Sequence, residues 1–217
     1  MKIAGLYLAA GGSKRMGEPK LSLELSPGVT LGSRGLREMW GCGLSQLVVV
    51  VRPEDPLLWL CDKEDARAML PKLSIAPCRD AHLGMAHSLR AGLQALEADP
   101  PDAVLIALAD QPFVSSLQLR RLIKIFNGSP QLDYVASGKG QTPMPPAILS
   151  RSIFPVLNGL EGDEGARGIF RNPDYRGAIA RFAAEWSFVD VDTQEDLQHA
   201  RMLWQAIQNS ARNGTYA

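Results

Sequence analysis

The 217 residues carry 23 Lys and Arg against 23 Asp and Glu, so the formal net charge is zero, and 46% of residues are hydrophobic. That balance supplies no broad basic field to gather nucleic acid or an anionic membrane, so any anion site must be local. Three scattered cysteines, Cys42, Cys61 and Cys78, form no C-x-x-C pair and so suggest neither a disulfide framework nor a structural zinc.

In chain order, Ile3 to Ala10 is almost continuously apolar and predicts a strand buried on both faces. It is too short for a signal peptide and runs straight into Lys14 and Arg15, and no later stretch is long and apolar enough to cross a membrane. The expectation is a cytoplasmic protein. Next comes AAGGSKRMGEPK, residues 9 to 20, where glycines and cations crowd together. Glycines let the backbone approach a ligand and turn N–H groups into one concavity, and Lys and Arg add charge, so this loop suits phosphates. It is neither a P-loop nor a dinucleotide fingerprint: Gly17 is followed by Glu18-Pro19-Lys20, and Gly11, Gly12 and Gly17 are wrongly spaced.

Gln46 to Val51 predicts a second buried strand, Pro56 to Leu70 a helix, and Leu73 to Ala76 a third strand. Gly84 to Ala98 places Met85, Leu89, Leu93 and Leu96 on one helical face. Ala103 to Ala109 is the fourth strand, ending in Asp110, Gln111 and Pro112. A helix capped by Ser115 or Ser116 runs to Asn127 and is stopped by Gly128 and Pro130. From about 137 to 175 Gly, Pro and Asn are dense, which predicts an irregular lobe for a second substrate within a single domain spanning 1–217. Phe188 to Val191 reads as a fifth strand. Thr193 caps a last helix through about Ser210, with Glu195 and Asp196 in its first turn, and NGTYA reads as a frayed tail.

Strands alternating with helices imply right-handed crossovers and a mostly parallel α/β sheet. An acid at the carboxyl end of a central strand, as Asp110 is, sits where such sheets bind ligands. A carboxylate beside a phosphate cradle calls for a cation between them, and Mg²⁺ suits oxygen ligands of both kinds.

LAAGGSKRMGEPKL resembles the L-A-A-G-x-S-x-R-M-G-x-x-K-L signature of the MobA-like nucleotidyltransferases, nearest their MocA branch of molybdenum cofactor cytidylyltransferases. GMAHSLRAGL, ALADQP, PPAILSRSIFPVL, GDEGAR and VDVDTQEDL follow in that family's order and cover most of the chain. Ala109 stands where the family usually has Gly, residues 26–40 match poorly, and VVVVRPEDP lacks the usual Gly after the second strand.

The resemblance implies a three-layer nucleotidyltransferase fold of GT-A, Rossmann-like type with an inserted acceptor-binding loop region. It implies transfer of a nucleotidyl group, CMP from CTP above all, to the phosphate of molybdopterin, with Mg²⁺ as cofactor and a recipient molybdoenzyme as a further partner. Ala9, Ala10 and Gly11 would run along the nucleoside. Gly12, Ser13, Arg15 and Lys20 would hold the triphosphate, Arg15 as a planar fork and Lys20 as a point charge. Gly84 and Ser88 would lie over the base. Asp110 would hold the metal with Asp190 as second ligand, Arg15, Lys20 and Asp110 forming the catalytic set. Asp192 would interact with the following helix N-terminus. Asp163 and Arg167 would face the acceptor. GTP, another phosphate acceptor on the same fold, or a nucleotide-binding chaperone that delivers cofactor without turnover are the alternatives.

Overall fold

The computed structural model describes residues 1–13, 15–60, 73–160, 162, 165–182 and 185–212. Lys14, Cys61, most of the helix expected over 56–70, Asp163 and the tail 213–217 lie outside the described residues.

The apolar runs form strands as the pattern requires. They are β1 (Ile3–Leu8), β4 (Leu47–Val51), β5 (Leu73–Pro77) and β6 (Ala103–Leu108). A two-stranded hairpin, β2 (Glu24–Ser26) and β3 (Val29–Thr30), precedes helix α1 (Leu31–Trp40). Helix α2 (Met85–Gln94) lies between β5 and β6, and α3 (Ser116–Asn127) follows β6, with the Ser115 hydroxyl accepting from the Gln118 N–H as its cap. Then come β7 (Tyr134–Lys139), β8 (Thr142–Ser150), α4 (Phe154–Gly159), α5 (Arg167–Arg171), β9 (Gly177–Arg181) and α6 (Gln194–Arg212).

Among the described residues the main sheet has seven strands in the order β5-β4-β1-β6-β8-β7-β9. β5, β4, β1 and β6 are parallel, β8 is antiparallel to both its neighbours, and β9 pairs parallel with β7. Successive residues of a strand face opposite sides, and the core divides accordingly. Tyr7, Val49 and Leu105 pack with Leu36, Leu119 and Leu122 on one face; Leu6, Val50 and Ile106 pack with Leu89 and Leu93 on the other. The result is a mostly parallel three-layer α/β fold.

Three expectations are corrected. The stretch 137–175 is not irregular throughout: it carries part of β7 and all of β8, a hairpin built into the main sheet. Phe188 to Val191 is not a strand. Phe188 closes a 3-10 turn from Glu185, and Val191 donates its N–H to the Asp110 carbonyl at 3.0 Å without entering the sheet. Both residues are buried, so their apolar character reflects core contact rather than ladder pairing. Residues 56–60 do not begin a helix. The Asp55 carboxylate accepts from the Leu57 N–H and the Trp59 indole, a local turn that competes with helix formation.

Candidate active site

The chain runs outward from β1 to β4 and β5, then returns to β6 on the other side of β1. The carboxyl ends of β1 and β6 therefore flank a topological switch point, where open α/β sheets form a ligand crevice. Ala9 and Ala10 leave β1 there, and Asp110 leaves β6 there. Both ends are fixed by continued pairing: the Ala9 N–H donates to Val50 at 2.8 Å and the Ala109 N–H to Leu8 at 3.0 Å.

The glycine loop folds over this edge. Met16 is buried and anchors it, and the Met16 and Gly17 N–H groups both donate to the Ser13 carbonyl. Gly17 has φ +76°, a left-handed conformation natural to glycine. The Ser13 hydroxyl accepts from the Lys20 N–H at 3.2 Å and closes the loop on itself. Arg52, at the end of β4, donates its Nε to the Ala10 carbonyl at 3.0 Å from the side.

Two cavities meet at Gly11. One, of about 180 Å³, is lined by Ala10, Gly11, Gly12, Gly84, Ser88 and Asp110 among others. Five of the residues expected at the nucleotide, and Asp110 expected at the metal, are thus brought together. Gly84 has φ +123°, which only glycine adopts without strain and which turns the chain into α2. The other cavity, of about 490 Å³, lies under the loop and includes Ala9, Ser13 and Lys20 with Arg52, Asp55 and Trp59. The last three were not singled out from sequence, where they fall in a region without a recognisable motif.

The electrostatic centre is Lys20. Only 3% exposed, it directs its ammonium to Asp110 Oδ2 at 2.9 Å, Asp192 Oδ1 at 2.9 Å and the Val191 carbonyl at 3.2 Å. Its three N–H donors thus have three acceptors. Burial works to lower the Lys20 pKa, but Asp110 and then Asp192 raise it overall. Arg15 reaches the same Asp192 from the loop, its Nη2 to Oδ2 at 2.8 Å. Burial works to raise the Asp192 pKa, yet Lys20 and Arg15 together hold it below the usual carboxylate value. Asp192 therefore clamps both loop cations. The helix-end role expected for it falls to Asp196, which accepts from the Asp192 and Thr193 N–H groups and from the Thr193 hydroxyl.

Asp190 stands beside this cluster and accepts from Gln111 Nε2 at 2.9 Å. Its pKa is pushed up, first by burial and then by the charges of Asp110 and Asp192, against the opposing Gln111 bond and Lys20. Asp110 Oδ1 is buried without a hydrogen-bond partner, as is Gln111 Oε1. Buried acceptors are normally paired. An unpaired carboxylate oxygen with a second carboxylate beside its cluster offers the oxygen donors that a hard divalent cation takes, so Asp110 and Asp190 could hold such an ion.

Of the two residues expected at the acceptor, Asp163 lies outside the described residues and Arg167 follows a loop whose described residues include Leu160 and Gly162. Gly162 accepts from the Ala86 N–H at 3.2 Å, and Arg90 binds the Leu160 carbonyl at 2.6 Å, so the loop docks on the start of α2. Arg167 is exposed at the first position of α5.

The family model of the MobA-like NTP transferase domain matches residues 5–179. Purine catabolism protein PucB of Bacillus subtilis (strain 168) is 34% identical over 201 residues, covering 92% of this chain and 96% of that protein. Nicotine blue oxidoreductase of Paenarthrobacter nicotinovorans is 28% identical over 201 residues, covering 90% and 94%. Among solved structures, that of Rv0371C in complex with manganese, from Mycobacterium tuberculosis H37Rv, superposes with a TM-score of 0.69 at 23% identity, covering 93% of this chain and 99% of that one.

Proposed function

The chain belongs to the MobA-like NTP transferase family, a family of nucleotidyltransferases, and from that premise we propose that it transfers CMP from CTP to the phosphate of molybdopterin. One observation carries the reading: Asp110, with one unpaired buried oxygen, sits at the switch point beside the glycine loop and its two clamped cations. An oxygen of the acceptor phosphate attacks the α-phosphorus as the bond to the β-phosphate's bridging oxygen breaks, and pyrophosphate leaves. The nucleophile is already an anion, so the site needs positioning and charge stabilisation rather than a general base.

Asp110 and Asp190 would hold Mg²⁺, which when bound neutralises charge on the triphosphate; the manganese complex of a protein sharing the fold supports a divalent ion here. Ala9, Ala10 and Gly11 run along the nucleoside, and Gly12, Ser13, Arg15 and Lys20 serve the triphosphate, the two cations exchanging Asp192 for phosphate oxygens. Gly84 and Ser88 frame the base. The choice of CTP rests on the resemblance, whose cytidylyl branch reads L-A-A-G as residues 8–11 do here, and on the Ser88 hydroxyl, which both donates and accepts.

With Mg²⁺ present, CTP at about a hundredfold its Kd stabilises the protein by roughly 2.7 kcal/mol. A thermal-shift comparison reads this directly. Equal or greater protection by GTP at matched concentration would reverse the base assignment.

Asp163 and Arg167 face the acceptor on this reading. Arg167→Ala then raises the apparent KM for molybdopterin by about tenfold or more, the worth of a charge-assisted hydrogen bond, and leaves that for CTP within about twofold. Arg167 is exposed, so the fold survives the change. Steady-state kinetics with each substrate varied in turn decides the matter, and an equal loss for both would assign Arg167 to the loop's own structure.

A further inference from the structure

The cation site as assembled from carboxylates is short of ligands. Among the described residues no three carboxylate, imidazole or thiolate side chains are grouped to hold a metal ion. Without nucleotide Asp192 is held by Lys20 and Arg15, which leaves Asp110 and Asp190. A neutral oxygen donor is the remaining source within the protein.

Gln111 is 2% exposed, directly follows Asp110, and donates its Nε2 to Asp190 Oδ1. That bond fixes which end of the amide is nitrogen, because a carboxylate oxygen cannot serve as its donor. The other end, Oε1, is left buried with no hydrogen-bond partner, beside a neighbour whose Oδ1 is in the same condition. A side chain needed only to brace Asp190 gains nothing from burying a bare carbonyl. Hard divalent ions take amide carbonyls together with carboxylates.

We propose that Gln111 Oε1 is a third protein ligand of the divalent cation, while its Nε2 holds Asp190 in place for the same ion. The inference rests on the assignment of Asp110 and Asp190 as the metal site and extends it to a neutral ligand. Such a ligand adds coordination without adding charge. The site can then hold a divalent ion against two carboxylates and still welcome a triphosphate.

The test is a titration with Mn²⁺ alone, followed by electron paramagnetic resonance, on the intact protein and two variants. Gln111→Met keeps the volume and removes both functions. Gln111→Glu keeps an oxygen at the ligating end but loses the donor to Asp190. The expected result is a Mn²⁺ affinity at least tenfold weaker in Gln111→Met, and within about threefold of the parent, or tighter, in Gln111→Glu. Unchanged affinity in Gln111→Met overturns the proposal. So does a loss in Gln111→Glu equal to or greater than that in Gln111→Met, because it would reduce Gln111 to a brace for Asp190. Should the parent protein itself bind no Mn²⁺, the metal reading of Asp110 and Asp190 falls and this inference falls with it, which separates the two failures. Melting curves of both variants identify any that unfolds, and the surviving variant still decides: retained affinity in Gln111→Glu supports ligation and lost affinity overturns it.

Discussion

Asp110→Asn lowers nucleotidyl turnover by about a hundredfold or more, the cost of one preorganised electrostatic contact in a transition state. The change keeps size and shape and removes the charge from a residue that pairs with Lys20 and also lines the cavity of Gly84 and Ser88. Asp110 Oδ2 serves Lys20, and Oδ1 is buried without a partner. A neutral amide is a poorer ligand for a hard divalent ion, so the Mg²⁺ concentration for half-maximal rate rises in parallel. Lys20 retains Asp192 and the Val191 carbonyl, so the variant folds. The measurement is turnover against Mg²⁺ concentration for Asp110→Asn and Asp190→Asn side by side. Near-normal turnover in the first with abolition in the second would transfer the principal ligand to Asp190.

Lys20→Met removes the cation that Asp110 and Asp192 share. Breaking a fully buried pair from one side costs about 3–5 kcal/mol. Asp110 and Asp192 are 24% and 33% exposed, so water relieves part of that, and a loss of about 2 kcal/mol is expected at neutral pH. The deficit depends on pH in a defined direction. Asp192 has its folded pKa depressed, so its contribution is present above its unfolded value and is lost as pH falls through the folded one. The gap between wild type and Lys20→Met therefore narrows as pH falls through the ordinary carboxylate value and on through the depressed value that Asp192 has in the wild type. Urea unfolding at neutral and acidic pH reads the difference. A deficit that stays constant would mean that lost packing, not uncompensated charge, carries the effect. Turnover in the variant falls as well, because Asp110 and Asp192 lose their common partner.

Much of the fold is legible because β1, β4 and β6 are covered on both faces, which writes near-continuous apolar runs into the sequence. The helix caps at Ser115 and Thr193 are legible because their hydroxyls act on neighbouring N–H groups, a local signal. β8 is not. It contains Pro143, Pro145 and Pro146, residues that argue against a strand flanked on both sides, yet it pairs with β6 and β7. β7 and β9 carry Ser137, Gly138, Gly177 and Arg181, which dilute the alternation expected of a strand.

At the site, the family resemblance brings out Arg15, Lys20, Asp110, Asp190 and Ser88; Lys20 and Asp110 pair directly, Arg15 joins them through Asp192, and Ser88 lines a cavity with Asp110. Spacing cannot reveal who pairs with whom. D-x-D in VDVDT offers two acids, and only the return of the chain past Asp110 gives Asp190 to Gln111 and Asp192 to the loop cations. Arg52 and Trp59 escape notice for a related reason: their contacts to Ala10 and to Thr30 cross long stretches of sequence.

The clamp on the glycine loop also sets an order of events during synthesis. Arg15 and Asp192 are 177 positions apart, and the same seam continues with Glu18 to Gln194 and Ser26 to Trp204. A nascent chain can build β1, β4 and β6 early, since those strands lie within its first half. Arg15 and Lys20 have no Asp192 to hold them until that residue has left the ribosome. Contacts of such wide separation form late and slowly. The growing chain can therefore pair β1, β4 and β6 well before its glycine loop is clamped, and a translation product stopped short of residue 189 would carry the loop without its clamp.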